Sequence, residues 1–316
     1  MAHLVETMAY AGETPWHGLG VRVPADLSPR QMMQKADLDW SVDKYPSYAN
    51  CAGGVTVPTG MSALVRSSDN RVLSNVGEDW NPVQNEEAFQ FFAEYCAAGD
   101  MEMHTAGSLK NGEIVWVLAK VNESFDVLKD DRVDSFLLFS NPHQYGKTIN
   151  VRFTPIRVVC NNTLTLSLNQ TSKNEVRLNH RREFKPEMVK QQLGIAHEKF
   201  AVYRDMAQFL AKKRAKSEDL VQYFNSVFPL AANKTVPTKI EDLSRTAREA
   251  FEVMETQPGA QYARGSWWQA INTVTYMADH VLGRSADTRL QSAWFGLNQN
   301  KKVDALNLAV QMAEAA

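Results

Sequence analysis

Gly146-Lys147-Thr148 follows the strand-like segment 134–140 and resembles the end of a phosphate loop. That loop needs G-x-x-x-x-G-K-[ST] running into a helix, because tight glycine turns and helical amides hold the phosphates. Here Asn141 stands where the first glycine belongs, and the following Ile149-Asn150-Val151-Arg152-Phe153 is strand-like, so the segment reads as a turn. The histidines His3, His17, His104, His143, His180, His197 and His280 are scattered, and none falls into H-x-x-x-H, H-E-x-x-H or H-x-E with a later C-x-x-C. Asp279 and His280 are adjacent on a helix and point in different directions, so they form no local dyad. There is no G-x-S-x-G and no Cys–His nucleophile pattern. Glu86-Glu87 and Asp130-Asp131 read as a helix start and a turn. The expectation is a non-enzymatic protein that needs no metal or nucleotide cofactor.

The residues that do suggest chemistry are basic. Arg152, Arg157, Lys173, Arg177, Arg181, Arg182 and Lys185 follow one another through a strand-rich stretch and the segment after it. Guanidinium groups suit phosphate because they donate two parallel hydrogen bonds. Phe153 in the same strand, and Tyr262, Trp267 and Trp268 near Arg264, offer rings for stacking. A basic groove with stacking rings is the mode of sequence-tolerant single-strand binders. The bland reading of the same residues is a solvated face, with Phe153 and the tryptophans in the core. The expectation carried forward is that Arg152, Arg157, Arg177, Arg181, Arg182 and Lys185 form one positive surface on the sheet side.

Charge distribution supports that choice. The 316 residues sum to −2, with 22% charged and 44% hydrophobic. Residues 1–150 carry 11 basic and 20 acidic side chains, a net of −9; residues 151–316 carry 23 and 16, a net of +7. Within 147–216 there are 15 basic and 5 acidic, a net of +10. Such asymmetry points to a polyanion, or to acidic and basic halves that neutralise each other. Cys51, Cys96 and Cys160 are odd in number and far apart, implying neither a disulfide framework nor a zinc site. The opening residues have no signal-peptide pattern and no segment suits a membrane span, so a cytoplasmic location is expected.

The elements that would position these residues change character along the chain. Residues 1–45 read as an irregular arm with one helix, capped by Ser28 with Pro29 in its first turn. Trp16 and His17 are expected to pack against the body. Residues 46–185 read as a mostly antiparallel sheet with one inserted helix, for which Asn85 is the expected cap and Gly99 the end. Asn111-Gly112 marks a hairpin, and Pro155 marks a bulge, an edge or a bend. Residues 186–316 read as helices joined by the linker 230–239. The fold class is therefore α+β, an antiparallel sheet with an inserted helix followed by a helical C-terminal half.

Four stretches together carry a resemblance: Thr14-Pro15-Trp16-His17-Gly18-Leu19-Gly20; Trp80-Asn81-Pro82-Val83-Gln84-Asn85 with Glu86 and Phe89; Thr154-Pro155-Ile156-Arg157-Val158-Val159-Cys160-Asn161-Asn162-Thr163-Leu164; and Trp267 to Tyr276 with Asp279-His280. The chain is similar to phage/plasmid-like proteins grouped as domain of unknown function 932. The resemblance implies a home on phages, prophages and conjugative elements, near anti-restriction or recombination genes, and no agreed activity. The expected function is a mobile-element accessory protein that binds nucleic acid, single-stranded DNA in annealing, recombination or protection. The alternative is a non-enzymatic interaction protein that inhibits a host defence system of the anti-restriction type. Expected partners are nucleic acid or a host defence protein; a homo-oligomer is allowed and a membrane is not expected.

Overall fold

The computed structural model describes residues 4–12, 18–157, 162–163, 175–181, 184–185, 200–230, 237–283 and 285–315. The protein is α+β. An eight-stranded sheet runs in the order β10-β9-β8-β7-β6-β1-β2 with β11 also on β9, and a separate three-stranded sheet runs β3-β4-β5. Contacts divide the chain into two units, 1–122 with 136–153 and 175–194, and 123–135 with 154–174 and 195–316.

In the first unit, β1 (Val5–Ala11) pairs parallel with β2 (Val21–Val23) and antiparallel with β6 (Met101–Leu109). The expected irregular arm is thus partly sheet. Its alternation is hidden because Met8, Ala9, Tyr10 and Ala11 are buried in succession. Gly107 on β6 lets β1 approach: a Cβ there would meet the Thr7 carbonyl at 2.5 Å. β6 pairs with β7 (Ile114–Asp126) through the hairpin that Asn111-Gly112 announces, with Lys110, Asn111 and Gly112 all at positive φ. β3 (Val42–Asn50), β4 (Thr56–Arg66) and β5 (Val72–Gly77) form the small antiparallel sheet.

Helix α1 (Pro29–Lys35) has the expected start: the Ser28 hydroxyl accepts from the Gln31 amide at 3.3 Å and the Gln31 carboxamide accepts from the Ser28 amide at 2.9 Å. Helix α2 (Asn85–Ala97) buries Phe89, Phe91 and Phe92. Its cap is Gln84, whose amide donates to Glu87 at 2.6 Å. Asn85, expected as the cap, is instead the buried first helical residue and bonds across to Leu38 and Trp40.

β8 (Arg132–Pro142) and β9 (Ile149–Arg157) continue the large sheet. β11 (Glu175–Leu178) pairs with β9 over Ile149–Arg152, while β10 (Asn162–Thr163) pairs at Ile156–Arg157. Pro155 falls between these two partners, where a missing N–H costs least.

In the second unit a helix over 200–212 (α3) buries Phe200, Tyr203, Ala207 and Leu210. It is followed by α4 (Ser217–Val227), α5 (Arg245–Thr256), α6 (Trp267–Tyr276), α7 (Ala286–Phe295) and α8 (Leu297–Ala315). Every residue of α6 from Trp267 to Thr275 is buried, and two of its carboxamides bond backbone there: Asn272 to the Trp268 carbonyl at 2.7 Å, and Gln269 to the Met254 carbonyl of α5 at 2.7 Å. Met277–Val281 continues α6 as a π-helical turn. No helix among the described residues is long and apolar enough to cross a membrane.

Candidate functional site

The end of α3 and the start of α6 are tied by backbone bonds. The Ala215 amide donates to the Gly265 carbonyl at 3.0 Å, and the Trp267 amide donates to Lys213 at 3.1 Å. Ser266 caps α6, accepting from the Gln269 amide at 3.2 Å. This junction sets the run Lys212-Lys213-Arg214-Ala215-Lys216 beside Arg264, with Arg214 Nη1 donating to the Arg264 carbonyl at 2.6 Å. Lys212, Arg214, Lys216 and Arg264 are exposed, and half-buried Lys213 lies over the Phe209 ring. Glu255 reaches Arg264 only at 4.0 Å, and Glu218 and Asp219 occupy the first turn of α4. Five cations, four of them from five consecutive residues, therefore gather at this junction of the second unit.

Among the basic set expected from the sequence, Arg264 belongs to this patch. Arg177, Arg181 and Lys185 are exposed on the first unit. Lys173 and Arg182 lie outside the described residues, as do Trp16 and His17. Arg152, Phe153 and Arg157 are buried, at 8%, 4% and 1% exposure, which removes them from any positive surface. Alternation along β9 does not separate them, because a central strand is covered on both faces. Trp267 and Trp268 are also fully buried and supply no stacking platform; Tyr262 beside them is half-buried. The sequence alone did not single out Lys212, Lys213, Arg214 and Lys216. Their signal, four cations in five residues at a helix end, was present, but it was absorbed into the regional charge count.

Arg157 instead closes a buried ion pair. Its Nε and Nη2 donate to the two Asp131 oxygens at 2.6 and 2.9 Å, Nη2 also donates to the Gly259 carbonyl at 2.9 Å, and Trp268 Nε1 donates to Asp131 at 2.9 Å. Burial raises the nearby Tyr203 hydroxyl well above its ordinary value. A second buried pair joins Lys302 to Asp279 at 2.7 Å, while His280 lies against the Tyr276 ring at 4.6 Å. Asp131 and Asp279 are thus each held by a buried cation.

In the first unit the extended segment 80–85 is held by buried polar groups. Asn141 donates to the Val83 carbonyl at 2.7 Å, and His180 Nδ1 bonds the Asn81 carbonyl at 3.2 Å. His143 Nε2 bonds Asn85 Oδ1 at 3.3 Å. A carbonyl only accepts, so His180 carries its proton on Nδ1. The Asn85 amide nitrogen already donates to Leu38 and Trp40, at 3.0 and 3.2 Å, so Asn85 Oδ1 accepts from His143 Nε2. Trp80 stacks on His180 at 4.0 Å, and Trp40 meets His143 edge-on at 5.7 Å. Burial drives His143 down to about 3, helped by neighbouring His180. Burial also drives His180 down to about 4, against the raising effect of the Asn81 and Pro142 backbone. Both rings are neutral at neutral pH. Among the described residues no three His, Cys, Asp or Glu side chains gather to hold a metal ion.

The family described as Domain of unknown function (DUF932) matches residues 72–294, more than half of the chain. The chain belongs to this family. Neither curated proteins nor solved structures match it. Within the DUF932 range, the residues that carried the resemblance include Trp80, Asn81, Asn85, Arg157, Trp268 and Asp279, and each takes part in one of the interior arrangements described above. Thr14 to Gly20 precedes the matched range. Gly146-Lys147-Thr148 turns into strand β9 and not into a helix.

Proposed function

We propose that this DUF932 protein is a mobile-element accessory protein that binds nucleic acid through its phosphates. The observation that carries the reading is the junction of α3 and α6, where Lys212, Lys213, Arg214, Lys216 and Arg264 are gathered. Closely spaced cations repel one another, and an anionic partner offsets that cost. Exposed Arg177, Arg181 and Lys185 add a second set of phosphate donors on the first unit. With Phe153, Trp267 and Trp268 buried, the contact is electrostatic, and stacking falls to Tyr262 at most. Single-stranded DNA, in annealing or protection, is the ligand class proposed first, because phosphate tracking without base readout suits a flexible strand. The role needs no cofactor and no catalysis.

The experiment is a salt titration of binding to single- and double-stranded DNA. Bound phosphates release counterions, so affinity should fall linearly on a log–log plot. Absence of binding at low salt would leave the docking inhibitor of a host defence enzyme as the better reading.

A further inference from the structure

The small sheet carries a surface that nucleic acid does not explain. From Tyr45 to Val65 there is no Asp, Glu, Lys, Arg or His, in a chain of which 22% is charged. Over the outer part of the β3–β4 hairpin, residues 45–61, every residue is exposed except half-buried Ser47. Five of the eleven exposed large apolar side chains among the described residues lie on this sheet, Tyr45, Tyr48, Val57, Met61 and Val72, and a sixth, Val55, lies in the β3–β4 loop. Tyr48 pairs with Pro58 and Ala49 with Val57, so successive pairs display apolar groups on opposite faces.

β3 is an edge strand. Edges are usually blunted by charge, by proline or by a bulge. Pro46 and the register shift between Pro46 and Tyr48 protect the inner part of β3, but Ser47 to Asn50 has neither proline nor charge. Phosphates require cations, so this hairpin is no second DNA surface. A two-fold contact sets a patch against its own copy, so a charge near the axis would meet its like; the uncharged run 45–65 places none there. Val72 lies on β5, at the opposite edge, so a contact through β3 is confined to the hairpin 45–61.

We propose that the β3–β4 hairpin is the surface through which two copies of this chain associate, with Ser47 to Asn50 of β3 pairing antiparallel with the same residues of the second copy. The hairpin precedes the matched range 72–294, so the family match says nothing of it.

Sedimentation equilibrium of the native protein tests the proposal. The expected mass is twice 35.5 kDa at micromolar concentration, and it should persist in high salt because no charge takes part. The double variant Tyr48→Lys, Val57→Lys alters side chains that are 61% and 38% exposed, so its circular dichroism and melting temperature should match the native protein. Its dimer dissociation constant should rise at least about 100-fold, since each change acts twice across a two-fold contact. Val55→Lys, at the tip, serves as the second variant if the double one misfolds. A native protein that stays monomeric near ~100 µM overturns the proposal. So does a dimer that well-folded variants leave intact, or growth into open polymers.

Discussion

Arg157 and Asp131 meet through two parallel hydrogen bonds, of 2.6 and 2.9 Å, with both side chains at 2% exposure or less. The carboxylate also takes the Trp268 indole, and the guanidinium also takes the Gly259 carbonyl, so few polar atoms of the pair are left over. Arg157→Ala removes one partner and leaves Asp131 buried with only the Trp268 bond. A loss of about 3–5 kcal/mol in urea unfolding is expected. Arg157→Met with Asp131→Leu replaces both charges by apolar groups, and should recover most of that loss. DNA affinity of the folded fraction should change less than about twofold, since Arg157 is shut off from solvent. A tenfold loss of affinity in folded Arg157→Ala would return Arg157 to the binding surface.

Much of the architecture was legible. The Asn111-Gly112 hairpin, the Ser28 cap of α1 and the helical character of the described C-terminal half, from 200 onwards, rest on local chemistry that tertiary packing did not override. β1 was not legible, because Met8 to Ala11 is buried in succession and shows no alternation. The site was read less well, for a physical reason. An arginine in a strand looks the same in sequence whether it faces phosphate or a buried carboxylate. What separates the two is Asp131, 26 residues away and read as part of a turn. Arg264 was recognised, but its neighbours Lys212 to Lys216 reach it only through the pairing of 213–215 with 264–267.

The basic patch makes a graded prediction. Lys212→Ala, Lys216→Ala and Arg264→Ala alter side chains at the surface, so the triple variant should keep its stability within about 0.5 kcal/mol of native. Its salt-dependence slope for single-stranded DNA should shrink by up to about 0.7 for each phosphate no longer neutralised. Arg152→Lys, at a buried position, should leave the slope unchanged. If the triple variant has the native slope, phosphate is held elsewhere and the α3–α6 junction is only a solvated face.

Asn85 joins three partners that no other side chain could serve together. Its amide nitrogen donates to the Leu38 and Trp40 carbonyls, and its oxygen accepts from His143. Asn85→Ala should cost about 2–4 kcal/mol, because two carbonyls and an imidazole N–H lose their partner in a buried site. Asn85→Asp keeps the acceptor but removes both donors, so it should be no milder than Ala. Thermal denaturation of the three proteins side by side tests this. An Asp variant as stable as the native protein would show that the Leu38 and Trp40 bonds matter little.

The two buried imidazoles set a pH dependence whose sign follows from their neutrality. In the unfolded chain both titrate near 6.5; in the folded protein His180 stays neutral down to about 4 and His143 down to about 3. Between these limits the unfolded state binds more protons, so stability must fall as pH falls below about 6.5. Above that pH these groups contribute no slope. Each can contribute at most about 1.4 kcal/mol per pH unit inside its window. Carboxylates titrate mainly below about pH 5, so the interval from about pH 7 to about pH 5 isolates the histidines. The urea midpoint should decline steadily across it. His180→Phe keeps an aromatic ring against Trp80 and removes one titrating group, so its decline should be shallower while its midpoint at neutral pH changes modestly. A native midpoint that stays flat across that interval would mean that these rings pick up protons as readily in the folded protein as in the unfolded chain.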